Sequence, residues 1–441
     1  MPVSRTIAPS PDGAVPAHDA NTSPARQRGR GGARIAAPLA ILAVYVLYGW
    51  EQMIIPTMLA PIRHDLGAGV AAMGLLAGIF MLGSAAGALA AGAVGRRVGL
   101  GTLLVGSAAT FSVCTLLAGL APGYRSLLLT RVGTGIGEGA YCVAMFAYLG
   151  RLLPGWRSTV MGLASSIFGL ALFSGPALIV WLAAAGGGWR APNLGLGALS
   201  LAAVGLLRIT LRADPAGRAA PPPAASAPAQ TPAAGPGLWP AVLLATIVNG
   251  FCGFAYIGMF QLYAHVALGL SAMSAAGVFG CYGLGTILGG APVGQILDRW
   301  GRRGGVLLLL ALGAGLGSAL FGALGTPGPG IEALLSLLYG MVVSGVFTNC
   351  FALTQDICGA DEDVGAFGRM LAAHTVAEAL SGSAFVLAMG SGFDRASGPL
   401  WLYALPYGLS ALLVGFAPRR PRPSGHRAVE STHHDRPVAG A

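Results

Sequence analysis

Apolar runs of about twenty residues, bounded by charge, glycine or proline, recur along almost the whole chain, and each is long enough to cross a hydrocarbon core as a helix. The first six run from Ala36 to Met58, Ala71 to Val94, Leu100 to Ala121, Ser126 to Leu149, Ser158 to Ala184 and Leu194 to Leu211. Six more run from Leu238 to His265, Met273 to Leu297, Gly304 to Leu324, Ile331 to Gln355, Ala366 to Met389 and Leu400 to Phe416. The pattern predicts an all-α integral membrane protein with twelve transmembrane helices in two six-helix halves, residues 36–211 and 238–418. Between them residues 212–237 contain PPPAASAPAQTPAAGPG, too polar and proline-rich to pack, which reads as a cytoplasmic linker. Residues 1–35 and 419–441 read as disordered cytoplasmic tails, and the run that follows Arg34 is too long for a cleaved signal peptide.

Composition sharpens this picture. Hydrophobic residues make up 54% of the chain and charged ones 10%, against roughly 25% charged in soluble domains. The glycines sit inside Leu, Ala and Val runs, where small side chains let membrane helices approach closely. Six cysteines fall in or at the edges of apolar runs without ligand spacing, so neither disulfides, metal nor any other cofactor is expected. The basic residues are 26 arginines with no lysine. They flank the spans instead of forming a continuous patch, which argues against a nucleic-acid partner and for orientation in a lipid bilayer. Placing both tails inside puts 21 arginines on the cytoplasmic side and leaves Arg63, Arg125, Arg190 and Arg395 outside, so a plasma (inner) membrane protein with both termini cytoplasmic is expected.

Two loops carry related punctuation. Gly294-Gln-Ile-Leu-Asp298-Arg299-Trp-Gly301-Arg302-Arg303 ends the eighth span, and Gly92-Ala-Val-Gly-Arg96-Arg97-Val-Gly99 stands 202 residues earlier, with Arg96 in the place of the aspartate. The GxxxDRxGRR loop after the eighth of twelve spans resembles the signature of the major facilitator superfamily, over residues 36 to 418. In the fourth span, Arg131-Val-Gly-Thr-Gly135-Ile-Gly137-Glu138-Gly139 resembles the family's RxxxGxG pattern, in the GxGE form of spinster-type lipid transporters and organic-anion symporters. Tyr48-Gly-Trp-Glu51-Gln52 takes the place of the NYxDR of those relatives, keeping the acid and replacing the arginine by Gln52. Gly175-Pro176 in the fifth span, with Ala171 before it and Ile179-Val180 after it, resembles part of a motif of the superfamily's antiporters. The resemblance implies that Gly92, Arg97, Gly294, Asp298, Arg299, Gly301 and Arg302 take part in gating.

Charge inside a bilayer is costly, so each intramembrane ionisable group is a candidate for function. Arg131 and Glu138 stand about 10 Å apart along one helix and about 20° apart around it. With Glu51 they are the candidates for proton coupling. His374 and Glu378 share a face of the eleventh span at i, i+4, a pair that either relays protons or satisfies itself. In the seventh span Asn249, Tyr256, Phe260 and Tyr263 fall on one stripe, aromatic and polar-tipped. Asn249, Tyr256 and Phe260, with Tyr48 and Gln52, are the candidates to line a substrate path; ordinary helix packing is the alternative.

These residues predict a proton-coupled secondary transporter of a small organic solute, working by alternating access, leaning to efflux and acting as a monomer. Uptake of an organic anion, its carboxylate met by Arg131, is the alternative within transport. A membrane-embedded enzyme would need a nucleophile with a base or a metal cluster, for which His433-His434 in a polar tail is a poor source.

Overall fold

The computed structural model describes residues 24–152, 157–213, 238–290, 292–293, 301–322, 328–358 and 363–417. These are helical almost throughout. The helices are α1 (Pro24–Asp65), α2 (Val70–Val98), α3 (Leu100–Gly119), α4 (Tyr124–Leu152), α5 (Arg157–Ala185) and α6 (Arg190–Ala213), then α7 (Leu238–Val266) and α8 (Ala272–Gly289). After these come α9 (Arg302–Leu320), α10 (Pro329–Cys358), α11 (Asp363–Met389) and α12 (Leu405–Phe416), the last entered through a π-helical turn at Leu400–Ala404. Every apolar run has its helix, so twelve spans are legible in the pattern. The first differs most: α1 begins at Pro24, upstream of its apolar run, and continues past Met58 to Asp65. Pro38, Pro56 and Pro61 lie inside it, tolerated because neighbouring helices can satisfy the freed carbonyls.

Ten of the helices are long and apolar enough to cross a membrane. The fourth is not among them because it carries Arg131 and Glu138, and the twelfth is short. Burial separates central helices from lipid-facing ones: 78% of the most apolar stretch of α7 and 67% of that of α1 are buried, against 33% for α5 and α6. Side chains such as Leu89, Leu129, Leu387 and Phe416 project outward from the bundle, as a hydrocarbon solvent requires.

Helix pairings repeat six helices later. In the first half α2 packs on α4, α3 on α4 and α6, and α1 on α5 and α6; in the second α8 packs on α10, α9 on α10 and α12, and α7 on α11 and α12. Between halves α2 meets α11, α8 meets α5, and α1 meets α7. The breaks between helices repeat as well. Gly99 (φ 82°) separates α2 from α3 and Gly301 (φ 94°) precedes α9. Both positions need a left-handed backbone that glycine adopts without strain, so the 202-residue spacing of the two loops reflects an equivalence of backbone as well as of charge.

Candidate functional site

The site begins with how α4 is held. A methyl group at Gly137 would stand 2.5 Å from the Phe111 backbone N and 2.8 Å from the Ser107 carbonyl oxygen, both on α3. On the other side, Gly135 and Gly139 face the backbone of α2 at Phe80 and Ser84, while Gly83 and Gly87 of α2 face α4 at Val132 and Ile136. The RVGTGIGEG sequence is therefore a wedge: bare backbone on both faces draws α4 between α2 and α3 and carries Arg131 and Glu138 into the interior.

Arg131 and Glu138 are 3% and 1% exposed, and Glu51 is fully buried. The three differ in how they are satisfied. Glu51 Oε2 accepts from Thr115 Oγ1 of α3 at 2.5 Å, and its Oε1 accepts a short hydrogen bond from Ser200 Oγ of α6. Among the described residues neither oxygen of Glu138 has a hydrogen-bond partner, nor have Nε and Nη2 of Arg131 or Oε1 of Gln52. The Arg131 guanidinium lies instead over the Phe80 ring, 4.3 Å from its centroid. All three charges lie within electrostatic reach of one another without a direct ion pair among the described residues. Tyr48 lines this region from α1, stacked on Tyr45 (5.1 Å) and edge-on to Phe111 (6.3 Å). Gly175 brings α5 against the same segment, where a methyl would stand 3.3 Å from the Trp50 ring, and Trp50 Nε1 donates to Ser174 Oγ at 3.0 Å. The antiporter-like GP pair thus packs on the helix that carries Glu51.

The second half holds a different cluster. His374 Nε2 is 3.4 Å from Glu378 Oε1, and His374 Nδ1 is 2.8 Å from the Thr246 carbonyl oxygen of α7. Asn249 Nδ2 donates to the Val343 carbonyl (3.1 Å) and its Oδ1 accepts from Tyr407 OH (3.2 Å). Tyr256 OH is 2.8 Å from Ser336 Oγ, and its ring stacks on Phe260, Phe279 and Tyr282. In this conformation Asn249, Tyr256 and Phe260 are closed into a packed aromatic core with no solvent-accessible face. Tyr263 joins them by its contact with Phe321, 4.9 Å between centroids. Among the described residues no hydrogen bond or ion pair joins His374–Glu378 to Glu138.

Of the gating candidates, Gly294, Asp298 and Arg299 lie outside the described residues. Gly92 lies within α2 and Arg302 opens α9, while Arg97 is exposed near the end of α2. The neighbouring Arg303 donates through Nη2 to the carbonyls of Gly415 (2.8 Å) and Ala417 (2.6 Å), fastening α9 to the end of α12, where helix carbonyls lack partners. Sequence reading passed over Thr115 and Ser200, whose only signal is a hydroxyl in an apolar run. It also passed over Thr57, Gln261 and Glu332, each buried with an unpartnered polar atom.

Two six-helix halves related by a repeat, enclosing unpartnered charge within a membrane-spanning bundle, define a polytopic carrier. The chain belongs to the Major Facilitator Superfamily, whose family profile matches residues 41–386 and again 242–439, and its match spans less than two thirds of the length of the curated relatives. It is 28% identical over 288 residues to an MFS-type efflux pump of Mycolicibacterium smegmatis, covering 61% of this chain and 64% of that protein's length. The fold is similar to the inward-facing, unoccupied crystal structure of a bacterial homologue of the human lysosomal transporter spinster (TM-score 0.65, 19% identity, 87% of this chain and 94% of the other). It is also similar to a D-xylose–proton symporter (TM-score 0.70, 16% identity, 87% and 98%).

Proposed function

We propose that this protein exports a small organic solute across the plasma membrane in exchange for protons, with Glu138 as the coupling acid and Arg131 and Glu51 setting its environment. The observation that carries this reading is the unpartnered carboxylate of Glu138, buried seven residues from an arginine whose Nε and Nη2 are equally unpartnered. A fold that keeps such groups inside lipid leaves them for an exchangeable occupant, and a proton is the smallest. The efflux direction is supported by the curated name of the mycolicibacterial relative and by the GP pair against Trp50. The arginine asymmetry supports cytoplasmic termini.

In that orientation the halves approach closely at the outer end. A methyl at Gly74, near the start of α2, would stand 2.6 Å from the Gly382 carbonyl oxygen, near the end of α11. Within the first half, Asp65 ties the end of α1 to the start of α6, through Arg190 (2.6 Å) and Trp189 Nε1 (3.0 Å). The close approach of α2 and α11 at that end supports an inward-facing reading of this conformation. The test is substrate-dependent proton movement in liposomes containing the purified protein, screened over drugs, organic acids and lipids. Counterflow of a solute without any proton movement would end the coupled reading. The second reading, uptake of an organic anion, rests on the free Arg131 donors, and the sidedness of transport in the same liposomes decides between them.

A further inference from the structure

Among the described residues, the buried side chains with formal charge are Glu51, Arg131, Glu138 and Glu332. The first three form the site above. Glu332 lies in the second half, in the first turn of α10, 1% exposed, and neither carboxylate oxygen has a hydrogen-bond partner among the described residues.

The residues around it explain why no partner is at hand. Its own backbone N–H is taken by the Gly328 carbonyl oxygen at 3.1 Å. One and two turns along the same face of α10, Ser336 is engaged with Tyr256 OH (2.8 Å) and Tyr339 with Tyr407 OH (3.5 Å). The titratable groups that face it electrostatically are Tyr256 and Tyr263 of α7, neither a cation. Among the described residues, the titratable groups on the other helices packed against α10 either have partners of their own or, like Cys281 of α8, carry no positive charge. Tyr282 of α8 responds to Glu378, and His374 and Glu378 of α11 are occupied with each other. Arg303 of α9 is bound at the opposite end of its helix, and Arg395, beyond α11, donates to the Leu387 carbonyl at 2.8 Å. The two tyrosines that face it belong to one aromatic cluster, in which Tyr256, Phe260 and Tyr263 each pack edge-on to Phe321. A proton needs no cavity.

We propose that Glu332 is a second proton-binding site, separate from Glu138 and exchanging its proton with water at the end of the bundle where α10 begins. A carboxylate with neither a cation nor a donor, in apolar surroundings, removes its desolvation penalty by taking up a proton. One carboxylate oxygen accepts the proton from water while that end is wetted, and gives it back to water when the end opens again. The inference rests on the proton-coupled reading of the carrier and extends it to the C-terminal half.

The test is infrared spectroscopy of the full chain in lipid, reading the carbonyl stretch of protonated carboxyl groups at neutral pH, in wild type, Glu332→Gln and Glu138→Gln. Glu332→Gln should lose one component that Glu138→Gln retains. An unchanged carbonyl region in Glu332→Gln means an ionised Glu332 and overturns the proposal. If that variant does not reach the membrane, Glu332→Asp serves: a displaced component supports the site and an undisplaced one overturns it. Transport by Glu138→Gln is a separate readout, so failure of the Glu138 assignment leaves this result standing.

Discussion

Thr115 on α3 and Glu51 on α1 are joined by a 2.5 Å hydrogen bond that crosses the interior of the first half, with Ser200 of α6 holding the other carboxylate oxygen. Three helices that pack at their apolar faces therefore also converge on one acid. A hydrogen bond to a charged group contributes about 1.5–3 kcal/mol and one between neutral groups about half that. Thr115→Val should accordingly cost more stability when residue 51 is Glu than when it is Gln. Thermal unfolding of the four proteins of that double-mutant cycle in detergent measures the coupling. Equal costs in both backgrounds would mean that Glu51 is neutral in the state described.

Glu138 presents the opposite case, an acid with no such support. Glu138→Gln keeps size and polarity while removing the exchangeable proton. The expected outcome is loss of proton-driven solute accumulation with counterflow exchange preserved, since exchange needs no net proton movement. Wild-type uphill transport in this variant would remove Glu138 from the coupling role.

The glycines of α4 are a structural requirement with an internal control. A methyl at Gly135 meets the Phe80 backbone, whereas one at Gly106 meets nothing within 4 Å. Overpacking costs about 1–3 kcal/mol where neighbours can yield, and backbone yields least. Gly135→Ala should sharply reduce folded protein, and Gly106→Ala should express and transport as wild type. Equal yields of the two would show that α2 and α4 have slack.

Much of this architecture was legible in the chain because a membrane-spanning helix announces itself locally, by about twenty apolar residues and flanking charge. The repeat was legible because Gly99 and Gly301 stand at one point of two equivalent turns. Glu138 and Arg131 stood out because charge within an apolar run is conspicuous. What stayed hidden were relationships between distant segments. Nothing near Thr115 or Ser200 says that they face Glu51, and Tyr256 and Phe260 form a stripe whether it faces a cavity or, as in this conformation, a packed core. Glu332 was passed over because it lies at the edge of its run, where an acid reads as solvated.

The second arginine-bearing loop carries both Arg303 and the gating candidate Asp298, and substitution separates their roles. Arg303 holds the end of α12 through two carbonyls, so Arg303→Ala should lower thermal stability by about 1–3 kcal/mol while the protein that remains folded transports normally. Asp298→Asn should do the reverse, with normal membrane insertion and lost transport. A transport defect in Arg303→Ala that exceeds its loss of folded protein would move Arg303 into the gate.

His374 has a partner at each ring nitrogen. To bond the Thr246 carbonyl, Nδ1 must carry a hydrogen, which in a neutral ring leaves Nε2 as an acceptor. Nε2 faces Glu378 Oε1 at 3.4 Å, and two acceptors face each other favourably only with a proton between them. A protonated imidazole here would form an ion pair with Glu378 across one turn of α11. Gly250 makes the arrangement possible, since a methyl there would stand 2.6 Å from Nδ1. If a proton on this pair belongs to the transport cycle, His374→Gln should slow transport and flatten its pH dependence at unchanged expression. Gly250→Ala, which displaces the ring without removing it, should do the same to a lesser degree. Two variants with lowered thermal stability and a wild-type pH profile would make the pair a device for packing α11 against α7, with no share in coupling.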